Sequence, residues 1–531
     1  MQTAMGLKVP DSSSTWLIGL GFLVILTVQK TLAYWRLRHF RGPPGTGLTD
    51  FFHSKNMIGP RLHDWYENVN EKYGRIARVA PNVLITSSPE FWTRVNRKAG
   101  YKRSDWYYQA LRFEHRRDNV FTQTDDAKHD KRRKQMAPGV TDPPVLHPRW
   151  LIIAQYSGRE NHALEAAIDA RVQEFVQLIK SKYLSTEQRV VPMECAKKVQ
   201  YFTLDVISSV GLGRSFGMLV SDRDVQDYIK SSEEGLYMAT VFMALGISWL
   251  AHVPCLGRIL APSPKDPTGF GKMIATCFRY VDQRAADPTD ERSDMLASFI
   301  RHGLTGDELR TEAAEQVVAG SDTTSSAING VFLHLVANPR VQRKLQREID
   351  EAVQSGDSSP LSASGIIPHE RARQLPYLQA VIRESMRVRP PVVNIFSKNV
   401  PPGGDTVTVD GQSVFIPGGT CIGYSAGAMH HDKALYGDDA QSFRPERWFE
   451  KDAEKLVAMT RTNDLIFGDG KWQCLGKPVA VIELGKIVFE TFRNFDMALL
   501  RPETPWTARL YGLFSISDFW VQVTERTPQT N

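Results

Sequence analysis

The sequence predicts a mainly α-helical fold with a minor β portion, preceded by a single N-terminal transmembrane helix. Apolar residues recur at helical spacing along six long segments, while strand-like patterning is confined to two short regions. The most apolar run near the start, Trp16 to Trp35, is twenty residues long. At 1.5 Å per residue it spans roughly 30 Å, the thickness of a bilayer core.

That run reads LIGLGFLVILTV before Gln29 and Lys30, with Trp16 at one end and Tyr34 and Trp35 at the other, where aromatic belts lie. Lys30 sits near the basic end and can snorkel to the interface. Lys30, Arg36, Arg38 and Arg41 follow the run, and Lys8 alone precedes it, which places residues from about 36 onward in the cytosol. A cleaved signal peptide is the rival reading, but a basic leading region and a small-x-small cleavage site are both missing. Residues 1–41 are therefore expected to be a retained anchor with its flanks. Gly42-Pro43-Pro44-Gly45 then interrupts helix and strand alike, because proline fixes φ and lacks a donor. It reads as a stiff hinge before a catalytic body covering 42–531.

Within the body, GRIARVAPNVLITS reads as two short strands joined by a Pro-Asn turn. Helices are expected over 160–190, 197–210, 224–250, 307–337, 339–353 and 376–389. Loops fall at 138–148, 261–267 and 354–368, and an extended, turn-rich patch at 392–424. No repeat and no further domain boundary is evident.

With 531 residues, 42% of them hydrophobic, the chain can build a large core. A 23% charged fraction with 25 Phe and 11 Trp is that of an ordered globular protein. The net charge of +6 is mild and locally clustered, so no nucleic-acid partner is expected. The five cysteines (Cys195, Cys255, Cys277, Cys421, Cys474) are odd in number, scattered and free of CxxC pairs. That argues against a disulfide framework or a zinc site and for a reducing compartment.

Only Cys474 has neighbours that carry chemistry. It lies in Phe467-Gly468-Asp469-Gly470-Lys471-Trp472-Gln473-Cys474-Leu475-Gly476-Lys477, followed by the apolar helical run VAVIELGKIVFETF. Glycines permit close approach to a flat ligand, and a loop of this kind can aim backbone N–H groups at the sulfur. Taken alone, the loop leaves a metal or haem ligand and a buried structural thiol both open.

The whole string resembles the haem-binding signature of the cytochrome P450 family, Phe-x-x-Gly-x-Arg-x-Cys-x-Gly, at Phe467, Gly470, Cys474 and Gly476. Trp472 stands where the family usually has an arginine that contacts a haem propionate, so that contact is not carried over. The aromatic variant is similar to a group of fungal enzymes like pisatin demethylase. The resemblance implies a cytochrome P450 fold and iron protoporphyrin IX (heme), with Cys474 as the axial thiolate.

Three further motifs follow the order of the family. Glu384 and Arg387 form an ExxR pair sharing one helix face, and Phe443-Arg444-Pro445-Glu446-Arg447-Trp448 comes next. The resemblance implies that Arg447 joins Glu384 and Arg387 in a structural triad. Upstream, Thr305-Gly306-Asp307-Glu308 reads as a capping box opening a long helix. That helix carries Ala319-Gly320-Ser321-Asp322-Thr323-Thr324 at its middle, poor helix formers set together where the helix is otherwise apolar. By resemblance, Gly320 makes room for oxygen and substrate, and Asp322 and Thr323 form the acid–alcohol pair that relays protons.

The basic run His129-Asp130-Lys131-Arg132-Arg133-Lys134 reads alone as a charged helix face. The family carries a Trp-x-x-x-Arg pair there, both members on a propionate; His129 and Arg133 keep the spacing with His in place of Trp. Lys398 sits about where another propionate-binding arginine is frequent.

The implied activity is monooxygenation of a hydrophobic small molecule by hydroxylation, epoxidation or a related oxidation, in fungal secondary metabolism of a terpenoid, polyketide or alkaloid. O2 is the oxidant. No flavin or nicotinamide fingerprint follows residue 42, so electrons are expected from a separate NADPH-cytochrome P450 reductase at the endoplasmic reticulum membrane. Tyr107, Tyr108, Phe113, Phe121, Met238, Phe242 and Met243 are candidate walls of an apolar chamber. A reductase-independent haem-thiolate isomerase or dehydratase is the alternative enzyme, although such relatives tend to lose the Asp-Thr pair retained here. A non-enzymatic haem-binding protein is the third reading.

Overall fold

The chain's computed structural model describes residues 12–115, 117–140, 163–253, 255–286, 292–354 and 365–527. The expected loops at 138–148 and 354–368 fall largely outside them.

The two strands expected near residue 80 form as Ile76–Ala80 and Val83–Thr86, paired antiparallel with Arg78 opposite Leu84. Cys421–Tyr424 joins them in parallel, and Lys398–Asn399 and Lys102–Arg103 complete a five-stranded sheet. The last pairing sets Arg103 opposite Lys398, two residues far apart in the chain. Leu84, Ile85, Trp92, Val95, Ile422 and Tyr424 pack under the sheet as a core of their own.

The larger core surrounds the helix Gly306–Val336, whose 31 residues extend about 46 Å. It packs against Cys195–Leu212, Gly269–Ala285, Pro376–Val388 and Lys477–Asn494. Ile328, Val331, Phe332 and Leu335 interlock there with Phe202, Ile487, Phe489 and Phe492. The expected helices at 339–353 and 376–389 form as Pro339–Gln354 and Pro376–Val388. The segment 224–250 is not one helix. Tyr228–Ala244 is helical, but left-handed Gln226 and Asp227 break its start, and Gly246 at φ 68° precedes a short 3-10 turn, Ser248–His252.

The capping box is corrected in one respect. Thr305 occupies the N-cap, yet its hydroxyl makes no capping bond, because Gly306 at φ 54° turns the first amides out of its reach. Glu308 instead pairs with Arg132 at 2.7 Å.

A 25-residue helix, Ser12–Arg36, forms where the anchor is expected. Among the described residues, however, no helix is both long and apolar enough to cross a membrane. The polar end of this helix is fastened to the body and does not extend the apolar run to Trp35. Lys30 pairs with Asp50 at 3.0 Å, Arg36 bonds Asn82 and the Gly418 carbonyl, and Arg78 donates to the Ala33 and Tyr34 carbonyls at 2.9 and 3.3 Å.

Glu384, Arg387 and Arg447 meet with almost no exposure. Arg387 forks onto Glu384 with two bonds of 2.8 Å, and Arg447 donates to the same carboxylate at 3.2 Å. Trp448 Nε1 adds a third donor at 3.0 Å, and Arg387 also reaches the His430 and Ala440 carbonyls at 2.7 and 2.5 Å. One carboxylate thus ties a helix to the 430–448 meander. Glu384→Gln leaves Arg387 buried without its counter-ion and Arg447 with Asp439 alone, at 2.9 Å, and is expected to lower unfolding free energy by about 3–5 kcal/mol in denaturant titrations. Arg340→Ala, which removes an exposed partner of Glu446, is expected to cost less than about 1 kcal/mol.

Candidate active site around Cys474

The cysteine loop is shaped by its first two glycines. Gly468 and Gly470 adopt φ of 74° and 60°, and a side chain at Gly468 would approach the Trp472 carbonyl to 2.9 Å. Phe467 closes the loop by accepting the Cys474 N–H at 2.7 Å. Arg97 forks onto Asp469 at 2.5 and 2.7 Å and fixes the loop from outside. Gly476 has ordinary backbone angles and caps the helix Lys477–Asn494.

Because Cys474 sits at that helix start, the amides of Gly476 and Lys477 lie on its sulfur and favour thiolate, as does the charge of Arg133. Burial acts the other way and pushes the thiol up. A coordinated thiol is deprotonated outright, so a bound metal resolves that opposition. The side chain is enclosed by protein yet accessible, so the sulfur borders an internal space. Among the described residues no three His, Cys, Asp or Glu side chains come together as a protein-only metal site. A single accessible sulfur suits a metal whose other ligands would come from a bound macrocycle.

Trp472 lies within a ring of bases. Arg103, Lys398 and Lys471 place their cations 4.5, 4.7 and 4.6 Å from its ring centroid, and the His129 ring lies 4.5 Å away. His129 is buried, contacts Asp130 at 3.0 Å, and is pushed down to about 4, chiefly by burial, so it is neutral at pH 7. Arg133 is half-buried on the same helix, Asp126–Val140, and its charge is felt at Cys474, His129 and Arg103. Lys398 is buried and donates to Asn96 Oδ1 at 2.5 Å; burial first, then Arg103, holds its ammonium well below the usual lysine range. The structure therefore brings the sequence candidates His129, Arg133 and Lys398 to one place with Cys474 and Trp472. It adds Arg103 and Asn96, which no motif marked.

On the long helix, Ala319, Gly320 and Thr323 are open to access while Val317, Val318, Ser321, Asp322 and Thr324 are buried. These three positions form one stripe, and the Thr323 hydroxyl donates to the Ala319 carbonyl at 2.8 Å. Gly320 has a second constraint beyond its open face: a Cβ there would lie 2.8 Å from Ile207 on the neighbouring helix. Asp322 points elsewhere, accepting from Gln200 Nε2 at 3.1 Å. Burial pushes its carboxyl up to about 6, against the Gln200 bond. Two to three turns upstream of Asp322, Glu312 accepts the Val120 N–H at 3.0 Å, and Glu315 accepts from Asn119 at 3.1 Å. Both acids are raised by burial, and together they tie residues 119–120 to the long helix.

The expected chamber walls divide. Tyr107 and Phe121 pack together at 5.1 Å, and Met243 lines an apolar passage with Trp106, Leu236, Ile395 and Leu510 that encloses about 30 Å³. Tyr108 packs on His252 and Phe242 is half-buried. Phe113 is instead core, packed on Phe270, and Met238 is on the surface.

Comparison with known proteins shows the family. Residues 43–511 match the family described as Cytochrome P450. The chain is 35% identical to the cytochrome P450 monooxygenase ABA1 of Pyricularia oryzae, over 98% of this chain and 99% of that protein. It is 36% identical to aba1 of Botryotinia fuckeliana, covering 86% of each, and 30% identical to abl1 of Leptosphaeria maculans, over 94% of this chain and 86% of that one. The chain belongs to the cytochrome P450 family and is a haem-thiolate monooxygenase. Its residues fit the haem: one accessible sulfur under two amides, beside buried Arg103 and Lys398, which have no ion-pair partner among the described residues.

Proposed function

We propose that this monooxygenase hydroxylates, epoxidises or otherwise oxidises a hydrophobic terpenoid, polyketide or alkaloid in secondary metabolism. The observation that carries the reading is the open stripe of Ala319, Gly320 and Thr323 at the middle of the long helix, set among buried Val317, Val318, Ser321, Asp322 and Thr324. When bound, the haem supplies O2 activation, with electron density from the Cys474 thiolate favouring O–O cleavage. Thr323 Oγ1 holds a hydroxyl proton at the open face, and Asp322, whose carboxyl burial pushes up to about 6, is the acid that resupplies it on turning from Gln200. Tyr107 and Phe121 pack on each other and against the buried Arg103. Retention of both Asp322 and Thr323 favours this chemistry over reductase-independent isomerisation.

In this reading the electrons come from NADPH through a partner reductase, and the protein sits on the endoplasmic reticulum membrane, its catalytic body facing the cytosol. Exposed apolar side chains support the membrane: Leu20, Val24, Ile25 and Val28 on the N-terminal helix, then Phe51, Trp249, Ile259 and Leu260 on the body.

Deleting the gene in its host is expected to accumulate a precursor one oxygen lighter, or two hydrogens heavier, than the lost product by mass spectrometry. Complementation with Thr323→Ala is expected to restore no more than about a hundredth of the product made by wild type. Unchanged metabolites under expressing conditions contradict the biosynthetic role; full restoration by Thr323→Ala contradicts the proton role. Trp249→Asp with Ile259→Asp is expected to reduce co-flotation with phosphatidylcholine vesicles when residues 1–41 are removed, and unchanged flotation removes the body from the membrane contact.

A further inference from the structure

One polar side chain on the open stripe of the long helix takes no part in holding the haem or moving protons: Gln316. It stands three residues before Ala319, four before Gly320 and seven before Thr323, the intervals that put side chains on one helical face. It is half-buried, whereas the five residues before it and Val317 and Val318 after it are buried. Its exposure therefore opens onto the same space as Ala319 and Thr323.

The side chain has nothing in the protein to bond. Neither its amide nitrogen nor its oxygen has a hydrogen-bond partner among the described residues. Its polar neighbours are all engaged. Thr323 donates to the Ala319 carbonyl at 2.8 Å, Glu312 pairs with Arg132 at 2.5 Å, and Glu315 accepts from Asn119 at 3.1 Å. An amide half removed from water and left unpaired is costly, and an aliphatic residue would suit both helix and chamber better. Apolar pockets carry a few such polar groups where they fix the orientation of a ligand.

What Gln316 can hold follows from the charges beside it. The two acids of the preceding turn are matched by bases, Glu312 by Arg132 and Glu315 by the nearby charge of Arg103. The surroundings thus favour neither an anion nor a cation, and an amide pairs well with uncharged oxygen. Seven residues separate Gln316 from Thr323, which is two turns, or roughly 10 Å along the axis.

We propose that Gln316 is the specificity-determining residue, its Nε2–H donating to an uncharged hydroxyl or carbonyl oxygen that the substrate carries roughly 10 Å from the carbon oxidised. The substrate is then an already oxygenated scaffold, not a bare hydrocarbon. The inference rests on the proposed oxidation of a hydrophobic small molecule.

The test uses full-length holoprotein and, as ligand, the precursor that accumulates in the gene-deletion strain, purified and its structure determined. Binding is read from the ligand-induced shift of the Soret band, with imidazole, which binds at the iron, as the control ligand. The precursor is expected to carry its hydroxyl or carbonyl remote from the carbon that wild type oxidises. Gln316→Leu is expected to bind it about five- to tenfold more weakly, the loss of one neutral hydrogen bond, with imidazole affinity within about twofold of wild type. Its products should spread over neighbouring carbons, because orientation is lost while the chemistry is kept. Gln316→Asn, whose amide is drawn back by one methylene, should fall between the two. Should Gln316→Leu not accumulate as folded protein, Gln316→Met is measured with the same expectation. A precursor with no oxygen function, with one only beside the oxidised carbon, or with a charged group as its sole polar feature overturns the proposal. So does wild-type affinity with an unchanged single product in Gln316→Leu, and so does an equal loss of imidazole affinity, which marks a damaged site and not a lost contact. A deletion strain with unchanged metabolites would instead contradict the biosynthetic reading, and the anchor would fall with it.

Discussion

A thiolate in a protein interior depends on the positive potential around it, and here that potential comes from position in the fold. Cys474 lies at the start of the helix Lys477–Asn494, so two amides reach its sulfur without any side chain being committed to it. The helix is held in turn: Lys486 is fully buried and pairs with Asp169 at 2.6 Å while donating to the Ile367 carbonyl at 2.7 Å. Gly468 and Gly470 let the loop reach that helix, and the Arg97–Asp469 fork pins it from the sheet side.

Two kinds of buried charge divide the labour. Around Glu384 every charge is answered within the protein, which makes the cluster a clamp on the meander and nothing more. Around Trp472 the cations outnumber the anions that touch them, which makes that cluster receptive to a dianionic group. The same side-chain chemistry gives structure in one place and a binding site in the other, according to whether the counter-ion is supplied from within.

Much of this was legible in the sequence. The strands near residue 80, the long helix and the Cys474 loop follow from local pattern, since alternation, helical period and glycine placement are local properties. Tertiary choices were not legible. Arg103 is one basic residue in YKRSDW, and its role appears only when its strand pairs with Lys398. Gln200 carries no signal of its own until the helix Cys195–Leu212 crosses Asp322. Phe113 and Met238 have the composition of pocket walls, yet packing sends one to the core and the other to the surface. Hydropathy extends the apolar N-terminal run to Trp35, because it carries no sign that Arg78 captures the Ala33 and Tyr34 carbonyls.

The central claim is that the sulfur of Cys474 is the protein's bond to haem iron. The reduced-CO absorption spectrum of purified protein tests it most directly, with wild type set beside Cys474→Ser. The account predicts a thiolate-type Soret band in wild type that is absent from Cys474→Ser, even where that variant still retains haem. A Cys474→Ser protein that keeps the thiolate band would contradict it, since the ligand would then have to be another cysteine.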